Sequence, residues 1–284
     1  ILDTAARYKQ SAPARLEAPL RGHTVVNLFY EPSTRTRMSF ELAAKKLSAD
    51  VLNFSSAASS ASKGETLVDT ARNLESMGAR VFVVRHPAAG AARLLSRSVQ
   101  ASIVNAGDGA HEHPTQGLLD LFTLRERFGH LEGLKVAIVG DITHSRVARS
   151  NIAGLTRMGA EVRLAGPPTL LPTGIEMLGA RAFDRVEEAI QGVHAIMMLR
   201  IQLERQKGSF LPSLQEYSAL YGLTPERLCL AHPDVVILHP GPLNRGVEIS
   251  SELADGPRSL ILDQVANGVL VRMAVLALLG GVTS

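Results

Sequence analysis

Short apolar runs alternate with helix-patterned stretches along this chain, and that alternation leaves few architectures open. The clearest run is Lys135-Val136-Ala137-Ile138-Val139-Gly140. A strand that is apolar on successive residues has no solvated face, which is the pattern of strands buried in parallel sheets under helices. Residues 161–165, 195–199 and 235–238 repeat it, with helical stretches between them. The first half follows the same plan. Val25 to Tyr30 reads as a strand that passes through Glu31-Pro32-Ser33 into a helical pattern from Thr34 to Leu47. Further strands are expected at 50–54, 81–84 and 102–105, and further helices at 65–77, at 91–98 and from Pro114 through Leu124. The expectation is an α/β protein: two α/β domains with parallel sheets, joined by long helices, with the active site in the crevice between them. The last helix, Gln264 to Leu279, is apolar on most faces and is expected to be largely buried.

Length and composition bound the rest. At 284 residues with 45% apolar content, the chain can supply two cores. The expected division is 1–130, 131–263 and a C-terminal helix at 264–284 packing back on the first domain. A charged content of 20% argues for a globular protein rather than a disordered one. The run Val269 to Gly281 contains Arg272 and falls short of the roughly 20 residues that span a bilayer, so no membrane role is expected. No basic segment followed by an apolar stretch opens the chain, so no secretory signal is expected, and a first residue other than Met suggests an incomplete or processed start. One cysteine, Cys229, excludes an internal disulfide framework and a multi-thiolate zinc site; it reads as a packed small residue, and a cytoplasmic setting is expected. The net charge of +3 comes from scattered Lys and Arg with few aromatics, which argues against nucleic acid and suits an enzyme of anionic small molecules.

Three clusters carry candidate chemistry. Ser33-Thr34-Arg35-Thr36-Arg37 places hydroxyls and guanidiniums where a strand gives way to a helix. Helix N-termini leave N–H groups unpaired and favour anions, and an arginine fork matches phosphate oxygens. The same residues also suit an ordinary capped helix on a solvated face. His113-Pro114-Thr115-Gln116 opens another helix, where an imidazole can polarise a carbonyl or merely cap and pack. Arg85-His86-Pro87 and His239-Pro240-Gly241-Pro242 each follow a strand, the end at which parallel α/β sheets bind ligands; Pro242 also suits a turn, with a cis bond as one option.

In combination these residues resemble the aspartate and ornithine transcarbamoylases across nearly the whole chain. Ser33-Thr34-Arg35-Thr36-Arg37 is similar to the family's carbamoyl-phosphate signature, and His113-Pro114-Thr115-Gln116 to a second family motif. The likeness continues through Ser59, Lys63, Arg85, Arg146, Arg200 with Gln202, and Gly241-Pro242-Leu243. It implies that Ser33, Thr34, Arg35, Thr36 and Arg85 bind phosphate, and that Thr36, Arg85, His113 and Gln116 hold the carbamoyl group. Arg35, Thr36, Arg85 and His113 are the implied catalytic residues. Lys63, Arg146, Arg200, Gln202, Gly241 and Pro242 would bind the amino acid. Ser59 and Lys63 would reach the adjacent subunit's site in a homotrimer. The resemblance implies no metal and no cofactor. It leaves the higher assembly open among a bare trimer, one with regulatory chains and one joined to a dihydroorotase partner.

Charge separates the two substrates. Carbamoyl phosphate brings close to two negative charges and aspartate two carboxylates, about four to be offset. Arg35, Arg85, Arg146, Arg200 and Lys63 supply five cations. Ornithine carries a cation that Arg200 would repel, and the His239 to Pro242 loop lacks the cysteine characteristic of ornithine enzymes. The expected reaction is therefore carbamoyl transfer from carbamoyl phosphate to L-aspartate, a step of de novo pyrimidine biosynthesis. A nicotinamide enzyme is disfavoured because Asp141-Ile142-Thr143-His144-Ser145 lacks the second and third glycines of a dinucleotide fingerprint.

Overall fold

The structure, a computed structural model, describes residues 1–11, 18–55, 64–201 and 213–280. It divides into two compact units, Ile1–Thr115 with Ala266–Ser284, and Gln116–Val265. Both are α/β units built on parallel sheets.

In the first unit, α1 (Leu2–Gln10) precedes β1 (Thr24–Phe29), α2 (Thr34–Lys46), β2 (Asp50–Ser55), α3 (Leu67–Ser76), β3 (Ala79–His86), α4 (Ala91–Ser96) and β4 (Ser102–Asp108). The four strands lie in the order β2-β1-β3-β4, all parallel. Val26, Leu28, Phe82, Val84 and Leu95 form part of its core. Burying each such side chain contributes about 1.5–3 kcal/mol. Because β2 lies on one side of β1 and β3 on the other, the chain leaves β1 and β3 toward opposite sides. Such a switch point opens a crevice at the strands' carboxyl ends.

The second unit takes up most of α5 (Pro114–Phe128), then β5 (Lys135–Val139), α6 (Arg146–Arg157), β6 (Glu161–Ala165), β7 (Ala180–Phe183), α7 (Val186–Ile190) and β8 (Ala195–Met198). It continues through α8 (Leu214–Tyr221), α9 (Pro225–Leu228), β9 (Val236–Leu238), α10 (Ser251–Ala254) and the start of α11 (Ile261–Leu279). Its sheet order is β7-β6-β5-β8-β9, again all parallel, with the switch point at β5 and β8.

Two glycines fix how closely the backbones after β5 and β6 approach. Gly140 follows β5 at φ +136°, and its N–H donates to Ala165 O at 2.8 Å. A Cβ on Gly166 would lie 2.3 Å from the Gly140 carbonyl oxygen, a backbone atom with little room to move. We expect Gly166→Ala to lower stability by about 3 kcal/mol, near the upper end for overpacking, read as a clearly lower thermal midpoint. A variant melting with the wild type would show that this approach is loose.

The boundary between the two compact units runs through α5 at 115/116. Two details differ from the sequence reading. Cys229 is exposed, not packed: Leu228 takes the inward position at the end of α9 and turns the next residue outward. Helix α11 runs 19 residues and is apolar enough to cross a membrane by length and composition alone. Of its two charged residues, Asp263 and Arg272, the second is nevertheless part of the first unit's interior. Arg272 is buried, donates to Ser39 Oγ at 2.7 Å and lies over the Phe40 ring at 5.1 Å from its centroid.

Candidate active site

The first set of site residues gathers at the carboxyl edge of the first sheet. Phe29, the last residue of β1, is register partner to Arg85 near the end of β3, and Tyr30 N–H donates to Arg85 O at 2.8 Å. The turn after β1 therefore starts beside Arg85. That turn delivers Ser33 as N-cap of α2, with extended backbone (φ −163°, ψ 97°) and no hydrogen bond from its side chain to the helix. The capping role open to Ser33 is not taken. The first turn of α2 contains no acidic residue, so the positive end of this 13-residue helix is not offset from within. Thr34 and Arg35 are exposed and Thr36 is buried. Arg85 is mostly covered; its Nε lies 3.2 Å from a Glu31 carboxylate oxygen, and Nη1 donates to Ala106 O at 3.4 Å.

His113 enters the same edge from β4. The loop that carries it is pinned by Asp108, which the sequence reading did not single out. Asp108 is buried and accepts from Gly90 N–H (2.7 Å), Asn105 Nδ2 (2.8 Å) and Glu112 N–H (3.2 Å), with His111 Nδ1 at 3.1 Å. Burial by itself would raise this carboxyl's pKa, but the converging donors more than offset it and hold it below the usual range. A carboxylate kept ionised by the Asn105 amide, the Gly90 N–H and His111 makes a firm anchor. His113 follows as a buried residue, and Gln116, also buried, lies one helical turn on in α5.

The second set lies at the carboxyl edge of the second sheet. After β5, Asp141 is fully buried and accepts from His144 N–H at 3.0 Å, with His144 Nδ1 also at 3.0 Å. Ser145 caps α6 by accepting from Ala148 N–H at 3.1 Å, and Arg146 is the buried first residue of that helix. Arg200 follows β8 and is half-buried. After β9, the Gly241-Pro242 bond is cis. His239 shapes this loop from inside: its Nδ1 accepts from Gly241 N–H at 2.8 Å, so Nε2 carries the proton and faces Glu248 Oε1 at 3.2 Å. Glu248 is fully buried and also accepts from Asn244 N–H at 2.5 Å. Ser59, Lys63 and Gln202 lie outside the described residues. Among the described residues, no group of three or more His, Cys, Asp or Glu is placed to hold a metal ion.

Residues 1–126 match the aspartate/ornithine carbamoyltransferase carbamoyl-P binding domain, and residues 132–279 match the Asp/Orn binding domain of the same enzymes. The chain belongs to the aspartate/ornithine carbamoyltransferase family. Within this family it is 59% identical over 283 residues to the aspartate carbamoyltransferase catalytic subunit of Syntrophotalea carbinolica, covering 99% of this chain and 90% of the relative. It is 62% identical over 283 residues to the same subunit from Pelotomaculum thermopropionicum, covering 99% and 92%. Solved carbamoyltransferases share the fold. Aspartate transcarbamoylase from Trypanosoma cruzi, in complex with carbamoyl phosphate and aspartate, superposes with a TM-score of 0.87 at 32% identity, covering 97% of this chain and 90% of that one. Ornithine carbamoyltransferase from Thermus thermophilus reaches 0.86 at 31% identity, covering 98% and 92%. Fold alone therefore does not separate the two substrates within the family. Sequence identity does, since relatives near 60% are named for aspartate.

Proposed function

We propose that this protein is an aspartate carbamoyltransferase, transferring the carbamoyl group of carbamoyl phosphate to L-aspartate to give N-carbamoyl-L-aspartate and phosphate, a step of pyrimidine biosynthesis. The observation that carries this reading is that each parallel sheet presents arginines at its own switch point: Arg35 and Arg85 on the first, Arg146 and Arg200 on the second. The first set suits a phosphate, with a helix N-terminus beside it. The second suits the two carboxylates of aspartate and disfavours the cationic side chain of ornithine.

The unprotonated amine of aspartate attacks the carbamoyl carbon, and the C–O bond to phosphate then breaks, with its electron pair leaving on phosphate. The amine proton passes to the departing phosphate. Thr36, Arg85 and His113 stabilise the oxyanion of the tetrahedral intermediate, with Gln116 holding the carbamoyl nitrogen. Positioning both substrates supplies much of the remaining acceleration. The assembly we propose is a homotrimer in which Ser59 and Lys63 complete a neighbour's site.

The test is formation of carbamoyl aspartate by the purified protein, with an L-ornithine reaction run beside it. Product with aspartate alone is expected. Product with ornithine would overturn the reading of Arg200, and product with neither would overturn the enzymatic reading.

A further inference from the structure

Gln116 has to present a defined end of its amide to do the work proposed for it. The carbamoyl group ends in –NH2, a donor, so only the carbonyl oxygen of a glutamine can receive it. An amide can flip, and its orientation is fixed by what holds the other end.

That other end is held by Asp120, one helical turn along α5 and fully buried. Its Oδ1 receives Gln116 Nε2 at 2.9 Å and Gln264 Nε2 at 2.7 Å, and its Oδ2 receives Asn151 Nδ2 at 2.7 Å. A carboxylate only accepts, so each of the three amides must turn its NH2 inward. The orientation of Gln264 is confirmed independently at its far end, where Oε1 accepts from His239 N–H at 2.9 Å. His239 in turn holds Gly241 N–H, so the same carboxylate ties the Gln116 amide to the loop that carries the cis Gly241-Pro242 bond. Asn151 also donates to Val147 O at 3.1 Å.

We propose that Asp120 is a positioning residue for substrate choice. By fixing the NH2 of Gln116 inward, it commits Oε1 to the carbamoyl nitrogen and lets the protein distinguish a carbamoyl group from an acyl group of the same shape. Asp120 does not touch substrate and acts through Gln116. This inference rests on the proposed carbamoyl transfer, and a wild-type protein without that activity would fail that reading before any variant is made.

The probe is acetyl phosphate, in which a methyl group replaces the amine. Its inhibition constant against carbamoyl phosphate, divided by the KM of carbamoyl phosphate, measures how strongly the amine is recognised. Asp120→Leu keeps volume and removes the acceptor, and should lower this ratio about tenfold or more, because the Gln116 amide is then unheld. Asp120→Asn keeps an oxygen toward Gln116 and can turn its own NH2 to Asn151, whose Oδ1 has no partner among the described residues. It should retain a ratio within about threefold of the wild type. A wild-type ratio in Asp120→Leu, or KM and the inhibition constant rising together, would overturn the proposal in favour of a purely structural role. If Asp120→Leu does not fold, Gln116→Met decides, because it leaves Asp120 in place and removes the oxygen that would receive the amine. The ratio should fall there too, and an unchanged one overturns the proposal.

Discussion

Replacing Arg85 with alanine should lower kcat/KM for carbamoyl phosphate by about a thousandfold, roughly 4 kcal/mol of transition-state stabilisation. The position explains the size. Arg85 lies at the carboxyl end of a central strand, in register with the residue that begins the turn into α2. Its guanidinium is oriented by Glu31 and by the Ala106 carbonyl, so little reorganisation is needed when charge develops on the carbamoyl oxygen. Arg85→Lys should recover only a small part of the loss, since an ammonium keeps the charge but not the planar fork. Removing the guanidinium also leaves Glu31 without this cation, so a modest fall in thermal midpoint is expected beside the kinetic effect. The measurement is steady-state kinetics on folded variants. An Arg85→Ala enzyme within tenfold of the wild type would remove Arg85 from the chemistry.

Most of the strands could be read from the chain because they are buried on both faces. Lys135–Val139 and Ala195–Met198 are apolar runs bounded by turn residues, and the sequence places them within a residue of where they lie. β7 escaped notice for the opposite reason. It is a four-residue edge strand, Ala180-Arg181-Ala182-Phe183, whose one exposed and two half-buried positions leave no continuous apolar run. Sheet order is not written in any local pattern, so the switch points that group Thr34 to Thr36 with Arg85, and Arg146 with Arg200, emerge only from the strand register.

The candidate site was legible where function needs an unusual residue at an unusual place, such as Ser33 to Arg37 at a helix start. The residues that hold those groups in place were not. Asp108 is one acid in a loop, and nothing in Gly107-Asp108-Gly109 foretells that four donors converge on it. Asp120 carried a faint signal, being four residues after Gln116 on a helix and flanked by Leu118, Leu119, Leu121 and Phe122. An acid amid a buried apolar stretch needs partners, and its spacing from Gln116 names one of them. Gln264 and Asn151 could not be assigned in that way, because they lie on other helices.

Arg200→Ala should raise the KM for aspartate by several hundredfold to a thousandfold while leaving the KM for carbamoyl phosphate within a few-fold of the wild type. Truncating one member of a desolvated, hydrogen-bonded charge pair costs about 2–5 kcal/mol, and much of that is the cost of leaving the other charge unpaired. A substrate carboxylate would be that unpaired charge. Arg200 directly follows Leu199, whose N–H donates to Val139 O at 2.8 Å, so the backbone that carries the guanidinium is tied to the neighbouring strand. The side chain is half-buried, which leaves it able to meet a small ligand without full exposure to water. Ornithine should remain inactive in the variant. Deleting the arginine removes a repulsion but supplies no anion to receive the ornithine ammonium, and specificity requires an attractive partner as well as the loss of a repulsive one. An unchanged aspartate KM would place amino-acid recognition elsewhere on the second unit, with Arg146 as the next residue to replace. Loss of carbamoyl phosphate affinity alone would assign Arg200 to the phosphate and reverse the division of labour proposed for the two sheets.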